Sequence, residues 1–350
     1  MRRLVVKPFG KALYRGPGEF DKSSKGVHSS AISNFYPYPS TVAGILSWMR
    51  SRRADVGGET AHSDWVSEYS EMLGSDAVIY GPFYKGRGGT YVVYDLRSRK
   101  LIRTHLDRVN KYNVKYRFGE PGEIDLSHYT EEEGYISISR DSFFQDRIGI
   151  NLDRNGNNKT VEEGGLYTVQ FFFPEKISRD IEIVYYIDNI EIEELINISR
   201  FGGEGGVAGV TVSNDAEIDR IFDLDFSRDI GLYILSPLLI PTYRDVRRYV
   251  GDYLSSKGFR LRRIVGETTL LGAGYSTIPT KDSKGQPVGI RKSMRRPIYH
   301  ALKPGTVIYV DADGDLDSDS LKSLCIEGLG VGREVGYGKL LPFKPIKQGD

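Results

Sequence analysis

Few residues in this chain are of a type and spacing suited to bond-making chemistry. The histidines, His28, His62, His105, His128 and His300, are dispersed and form no HxxxH pair that would hold zinc on one helix face. No GxSxG elbow raises a nucleophilic serine. The lone cysteine, Cys325, excludes an intrachain disulfide and any CxxC metal site. His28, in a polar loop ahead of the first expected helix, could assist RNA cleavage as a general acid or base. A surface or hydrogen-bonding role is the plainer reading of such a histidine. The acidic run 311-DADGDLDSD-319 lacks calcium-loop register, since its sixth and twelfth positions are Leu316 and Lys322 rather than Gly and Glu. It reads as a solvated loop, so no metal and no cofactor are expected.

Binding chemistry is better represented. Glycine supplies 40 of 350 residues, about 11% against an ordinary ~7%. Two corners concentrate it, 201-FGGEGGVAG-209 and 328-GLGVGREVGYG-338. Outward-pointing amides in such a loop can hold an anion. The second corner is no nucleotide-hydrolysing loop, however. A dinucleotide fingerprint following Gly330 and Gly332 needs Gly where Val335 stands. A Walker loop needs Gly at Arg333 and Ser or Thr at Leu340. Five glycines also suit a plain helix-to-strand corner between packed elements; Arg333 and Lys339 beside the loop, with Tyr337 inside it, tilt the reading toward a polynucleotide backbone and a stacking face. The first corner has only Arg200 nearby and reads as a structural bend. A basic stretch, residues 281–303, sets Lys281, Lys284, Arg291, Lys292, Arg295, Arg296 and Lys303 against a single acid, Asp282. In a chain of net charge +1 that is the footprint of a polyanion site, and its Gly/Pro punctuation reads as a protruding loop or hairpin.

The elements that must position these groups follow from hydrophobic period. Arg2–Lys7 reads as a strand. Val42, Ile45, Leu46 and Met49 lie on one helical face after Pro39, with Ser40 as N-cap. A second helix starts at Ser63. Leu166–Phe173, Ile181–Ile187 and Val207–Val212 read as strands, with a helix at Ile190–Phe201 between the last two. The second half repeats the grammar: strand 230–235, a helix capped by Thr242 and stopped by Gly258, strands 259–265 and 306–310, a short helix 320–327 and strand 339–343. Two β-α-β-β-α-β units make an α+β protein of two fused ferredoxin-like (RRM-type) domains. The boundary is placed at 225/226, with residues 76–165 as a large insertion in the N-terminal domain. The apolar run at the N-terminus stops at Val6, and no stretch approaches the ~20 residues of a membrane span. A soluble cytoplasmic protein is the expectation.

Together these pieces are similar to a known family. The blocks 35-FYPYPSTVAGILSWM-49, 147-RIGINLDRNGNNKTVEEGGLYTVQFF-172, 200-RFGGEGGVAGV-210, 302-LKPGTVIYV-310 and 328-GLGVGREVGYGK-339 occur in the order found in the subunit-three family of the type III-B CRISPR Cmr complex. That family belongs to the RAMP superfamily. The chain departs from it at Ile45, where the first-helix block usually carries Ala, and at Gly205-Gly206, where a basic pair usually follows Gly-Gly-Glu.

The resemblance implies a non-catalytic, RNA-binding subunit. It would hold the repeat-derived 5′ tag of the CRISPR RNA and join the large polymerase/cyclase-like subunit to a backbone subunit. A helix start offers free amides to a phosphate. The expected RNA contacts are therefore Ser40 and Thr41 at the first helix, Gly330, Gly332, Arg333, Gly336 and Lys339 in the second corner, and Arg291, Lys292, Arg295 and Arg296 in the basic stretch. The competing expectation is a CRISPR RNA-processing endoribonuclease of the same superfamily, acting through His28.

Overall fold

A computed structural model describes residues 1–14, 30–34, 36–51, 65–86, 89–95, 100–104, 135–136, 144–153, 160–176, 181–192, 196–203, 205–214, 222, 229–272, 275–281, 287–312, 314 and 318–343. The architecture is mixed α/β with mostly antiparallel sheets. The largest sheet has eight strands. In spatial order they are β10 (Ile196–Arg200), β11 (Val207–Asn214), β1 (Arg2–Pro8), β9 (Glu182–Asp188), β3 (Val78–Gly86), β4 (Gly89–Asp95), β5 (Lys100–Thr104) and β6 (Tyr135–Ile136). Helices α1 (Pro39–Ser51) and α2 (Trp65–Leu73) connect β1 to β3.

The central strand β9 explains how two layers meet on this sheet. Its run EIVYYID is apolar at successive positions, as a strand buried on both faces must be. Ile183, Tyr185 and Ile187 join one core with Leu4, Val6, Val42 and Leu46. Val184 and Tyr186 point the other way, into a second core with Leu232, Val250, Ile308 and Leu340. In α1 the buried face is Val42, Ile45 and Leu46, with Met49 packed at its margin, as the 3.6-residue period requires.

That second core belongs to a four-stranded sheet in the C-terminal half. Its order is β14 (Phe259–Val265), β19 (Val307–Ala312), β12 (Asp229–Ile234) and β20 (Leu340–Phe343). Helix α3 (Val246–Ser256) links β12 to β14, and α4 (Ser318–Glu327) links β19 to β20. The strands thus stand in the order second, third, first, fourth of a β-α-β-β-α-β unit. In the N-terminal half, β3-β9-β1-β11 repeats that order, consistent with a ferredoxin-like unit in each half. Among the described residues there are three smaller sheets: β13 (Leu238–Pro241), β18 (Ile298–Leu302) and β15 (Thr268–Gly272); the hairpin β16 (Tyr275–Lys281) and β17 (Pro287–Arg295); and β2 (Ser30–Ala31), β8 (Thr160–Phe172) and β7 (Phe144–Asp153).

Several local expectations are corrected. No helix fills Ile190–Phe201 among the described residues. Residues 196–200 form an edge strand pairing with β11, because the alternating INISR segment suits a pleat better than a helix turn. The piece at 76–81 is no insertion. As the start of β3 it pairs with β9, Ile79 opposite Ile187, in the middle of the sheet. Ser40 lies within the first turn of α1 rather than ahead of it. Helix α3 is capped by Asp245, whose carboxylate accepts the Arg248 amide, and not by Thr242. Gly258 does follow its end, at φ +81°.

Candidate nucleic-acid interface

The glycine corner 328–338 is bent by necessity. Gly328, Gly330, Gly332, Gly336 and Gly338 all hold positive φ, a region that side chains with Cβ rarely adopt. The corner threads between packed elements. A Cβ on Gly330 would overlap the Leu239 carbonyl, and one on Gly338 the Leu329 carbonyl. A Cβ on Gly336 would press Ile79 of β3 at 3.1 Å. Backbone bonds lock the path: Val331 N–H donates to Leu239 O, and Gly338 N–H to Pro237 O, each at 2.9 Å.

Lys339 closes the corner and is only 2% exposed. Its ammonium donates to the carbonyls of Ile326 at 2.6 Å and Glu327 at 3.0 Å, the last turn of α4. Those carbonyls have no partner within the helix, so Lys339 ends α4 from inside. Burial pulls its pKa down to about 7, partly offset by Glu334. Its backbone amide donates to Ser236 Oγ, which in turn donates to Gly336 O.

Tyr337, expected to offer a stacking face, is itself enclosed. Trp65 of α2 meets it edge-on at 5.7 Å between ring centroids. Its hydroxyl lies 3.1 Å from Ser40 Oγ, which gives the Ser40 side chain a partner within the protein. Gly332 sits where a Cβ would reach Trp65 at 2.8 Å. Arg296, just past β17, is also drawn inward. Its guanidinium lies 5.8 Å from the Trp65 ring and 5.3 Å from that of Tyr69. The Trp65 indole N–H donates to Tyr299 Oη at 3.1 Å. This aromatic cluster therefore joins α1 and α2 to the glycine corner. Thr41 sits half-buried in the first turn of α1.

Arg333 is the half-exposed cation of the corner, its Nε donating to Glu334 Oε1 at 3.3 Å. Its Nη1 donates to Tyr253 Oη at 2.6 Å, and its guanidinium lies 5.6 Å from the Tyr253 ring. Tyr253 Oη donates onward to Gly328 O, so α3 aims Arg333. Beyond it, α3 and the turn before it expose Tyr243, Arg244, Arg247 and Arg248. The signal for that face is visible as 242-TYRDVRRY-249, a basic, aromatic helix start. It is easily passed over because the apolar spacing of Val246, Tyr249, Val250 and Tyr253 explains the helix without it.

The basic stretch does form a hairpin, with Lys292 of β17 opposite Ile278 and Arg295 opposite Tyr275. Residues 282–286, between these strands in sequence, lie outside the described residues, as does His28. The first glycine corner is packed: Gly203 N–H donates to Leu13 O at 2.9 Å, and a Cβ on Gly202 would meet the same oxygen at 2.7 Å. In the acidic run, Asp311 is buried beneath Arg260 and Arg262, at 2.9 and 2.5 Å. Among the described residues no cluster of three potential metal ligands occurs.

No protein-family model matches the chain. It is 27% identical over 292 residues to the CRISPR system CMR subunit Cmr3 of Saccharolobus solfataricus, a match covering 80% of this chain and 81% of that protein. In fold it is similar to a chain in the type III-B Cmr-beta complex bound to cognate target RNA and AMPPnP, with TM-score 0.56 and 22% identity over 88% of this chain and 86% of that one. A second structure of Cmr-beta, bound to cognate target RNA, gives TM-score 0.55 at the same identity and coverage.

Proposed function

We propose that this chain, a homologue of the type III-B CRISPR subunit Cmr3, is a non-catalytic RNA-binding subunit of such an effector complex. The observation that carries the reading is the sequence likeness to Cmr3 over four fifths of both proteins. Relationship to a type III-B effector subunit follows from that likeness directly. The finer role is the proposal: to hold the 5′ tag of a CRISPR RNA while bridging the large polymerase/cyclase-like subunit and a backbone subunit. In this reading the chain is two fused ferredoxin-like units dividing near residue 225, with strands β4 to β8 as additions to the first.

Arg333 and the basic strand with Arg291, Lys292 and Arg295 are the proposed phosphate contacts, on charge and position. Lys339, Tyr337 and Arg296 support them from within, by holding the corner in shape. A single strand held along one path needs donors and basic groups rather than an acid–base pair; here the cations are the proposed donors, since most amides of the corner, Gly336 included, already donate to protein oxygens. None of the described helices is long and apolar enough to cross a membrane, in keeping with the proposed cytoplasmic setting.

Affinity purification from the host tests the reading. The tagged chain is expected to bring down sister subunits and a CRISPR RNA with a uniform 5′ end. Recovery as a lone, RNA-free protein at low salt overturns it. Incubated with repeat RNA, the purified chain is expected to leave it intact. Metal-independent cleavage lost in His28→Ala would instead establish the endoribonuclease.

A further inference from the structure

Helix α3 meets the glycine corner through Tyr253, which accepts from Arg333 and donates to Gly328 O. Tyr243, at the turn before α3, is 80% exposed. The turn is held by the Arg244 amide donating to Pro241 O at 2.9 Å. The Arg244 guanidinium stands 5.3 Å from the Tyr243 ring. An open cleft of about 340 Å³ follows, lined by Arg244, Asp245, Arg248, Tyr249, Asp252 and Tyr253. Tyr249 is within electrostatic reach of Tyr243, Arg244, Tyr253 and Arg333. The cleft also carries two acids: Asp245 caps α3, and Asp252 stands 3.9 Å from Arg248 in a largely exposed pair that holds neither side chain firmly.

We infer that this Tyr243–Arg244–Arg333 face of α3 is a binding platform for single-stranded RNA, one base stacking on Tyr243 and the phosphates after it running along Arg244 and Arg248 towards Arg333. The inference rests on the RNA-binding reading above and adds a place to it. Three observations favour RNA over an acidic protein segment. An exposed ring carrying an arginine is a platform that any base can use. The cleft is concave and open, as a sugar–phosphate strand needs. Tyr253 of its lining holds Arg333, the half-exposed cation of the corner whose other basic residue, Lys339, is turned inside. An exposed tyrosine with no such work would serve the fold no better than a polar residue, since Tyr243 contributes little to either core.

Titration of the full chain with a fluorescein-labelled twelve-residue oligouridine, read by anisotropy, tests the inference. Tyr243→Ala is expected to weaken binding roughly tenfold, the loss of one stacked base. Tyr243→Phe keeps the ring and is expected to bind like the parent. Arg244→Ala with Arg248→Ala should reduce the salt slope by roughly 0.7 for each phosphate no longer neutralised. Tyr243 and both arginines are exposed, so these variants are expected to fold. Parent binding with Tyr243→Ala within twofold of it overturns the platform while leaving the RNA-binding reading intact. A parent chain that neither binds the probe nor co-purifies with RNA overturns both. Unchanged RNA affinity together with loss of a sister subunit from the purified complex would make this a protein-docking face, and also overturns the inference. Crosslinking from 4-thiouridine placed in the guide or in the target strand distinguishes the two sources of RNA. Reaction with Tyr243 from either supports the platform, and reaction from neither counts against it.

Discussion

Lys339 illustrates how the meaning of a side chain depends on where the chain turns. In sequence it is a cation at the end of a glycine-rich loop, and phosphate is the natural partner. In the fold its ammonium is spent on the last carbonyls of α4. That placement has a pH consequence. Burial lowers its folded-state pKa to about 7 from 10.5, so between those values the unfolded chain holds the extra proton. Stability contributed through this group therefore rises as pH climbs from 7 towards 10. The buried tyrosines Tyr14, Tyr80 and Tyr185 act oppositely. Burial raises their pKa above 10, so unfolding is favoured once the unfolded chain can ionise them. Denaturant unfolding is expected to show a contribution to stability that rises through Lys339 from pH 7 towards 10 and is opposed above pH 10, as the tyrosines ionise in the unfolded chain. In Lys339→Met the rise between pH 7 and 10 should disappear; a rise of the same size in the variant would remove Lys339 as its cause.

At the level of elements, the two glycine corners are separable by what surrounds each residue. Gly338 has φ +64° and no room, since a Cβ would overlap the Leu329 carbonyl. Gly205 has φ +72° with nothing within 4 Å. Gly205→Ala is expected to cost only the backbone strain, about 1–2 kcal/mol. Gly338→Ala must also displace packed backbone, and about 4 kcal/mol or more is expected. Thermal unfolding of both variants checks the contrast, and equal losses would mean the corner relaxes freely. Hydrophobic period made most strands and α1 readable, because each buries one definable face. It failed at Ile190–Phe201, a short apolar segment compatible with helix or strand, where pairing to β11 decided the outcome.

Across the molecule, neither half owns its core. Val335 and Tyr337 pack with Leu46 and Trp65, while Tyr80 and Phe83 pack with Leu232 and Ile308. The Tyr80 hydroxyl donates to Leu340 O at 2.7 Å, tying β3 to β20. A single cooperative unfolding transition is expected, with calorimetric and van't Hoff enthalpies in agreement. Trp65→Ala removes the ring that α2 sets against the corner, at a cost of about 3–5 kcal/mol. If the halves were independent, that substitution would shift one transition and leave another untouched.

Sequence alone was sufficient for the β-α-β-β-α-β grammar of the second half, the two glycine corners and the family resemblance. These depend on period, on backbone freedom and on ordered motifs, all local in the chain. It could not tell which cations of the second corner face water. Arg333 and Lys339 are six residues apart, yet Tyr253 of α3 holds the first at the half-exposed surface while the last carbonyls of α4 draw the second inside. The reason is geometric. A loop with five positive-φ glycines can place its neighbours on either side, and contacts from residues 65, 239 and 253 choose between them.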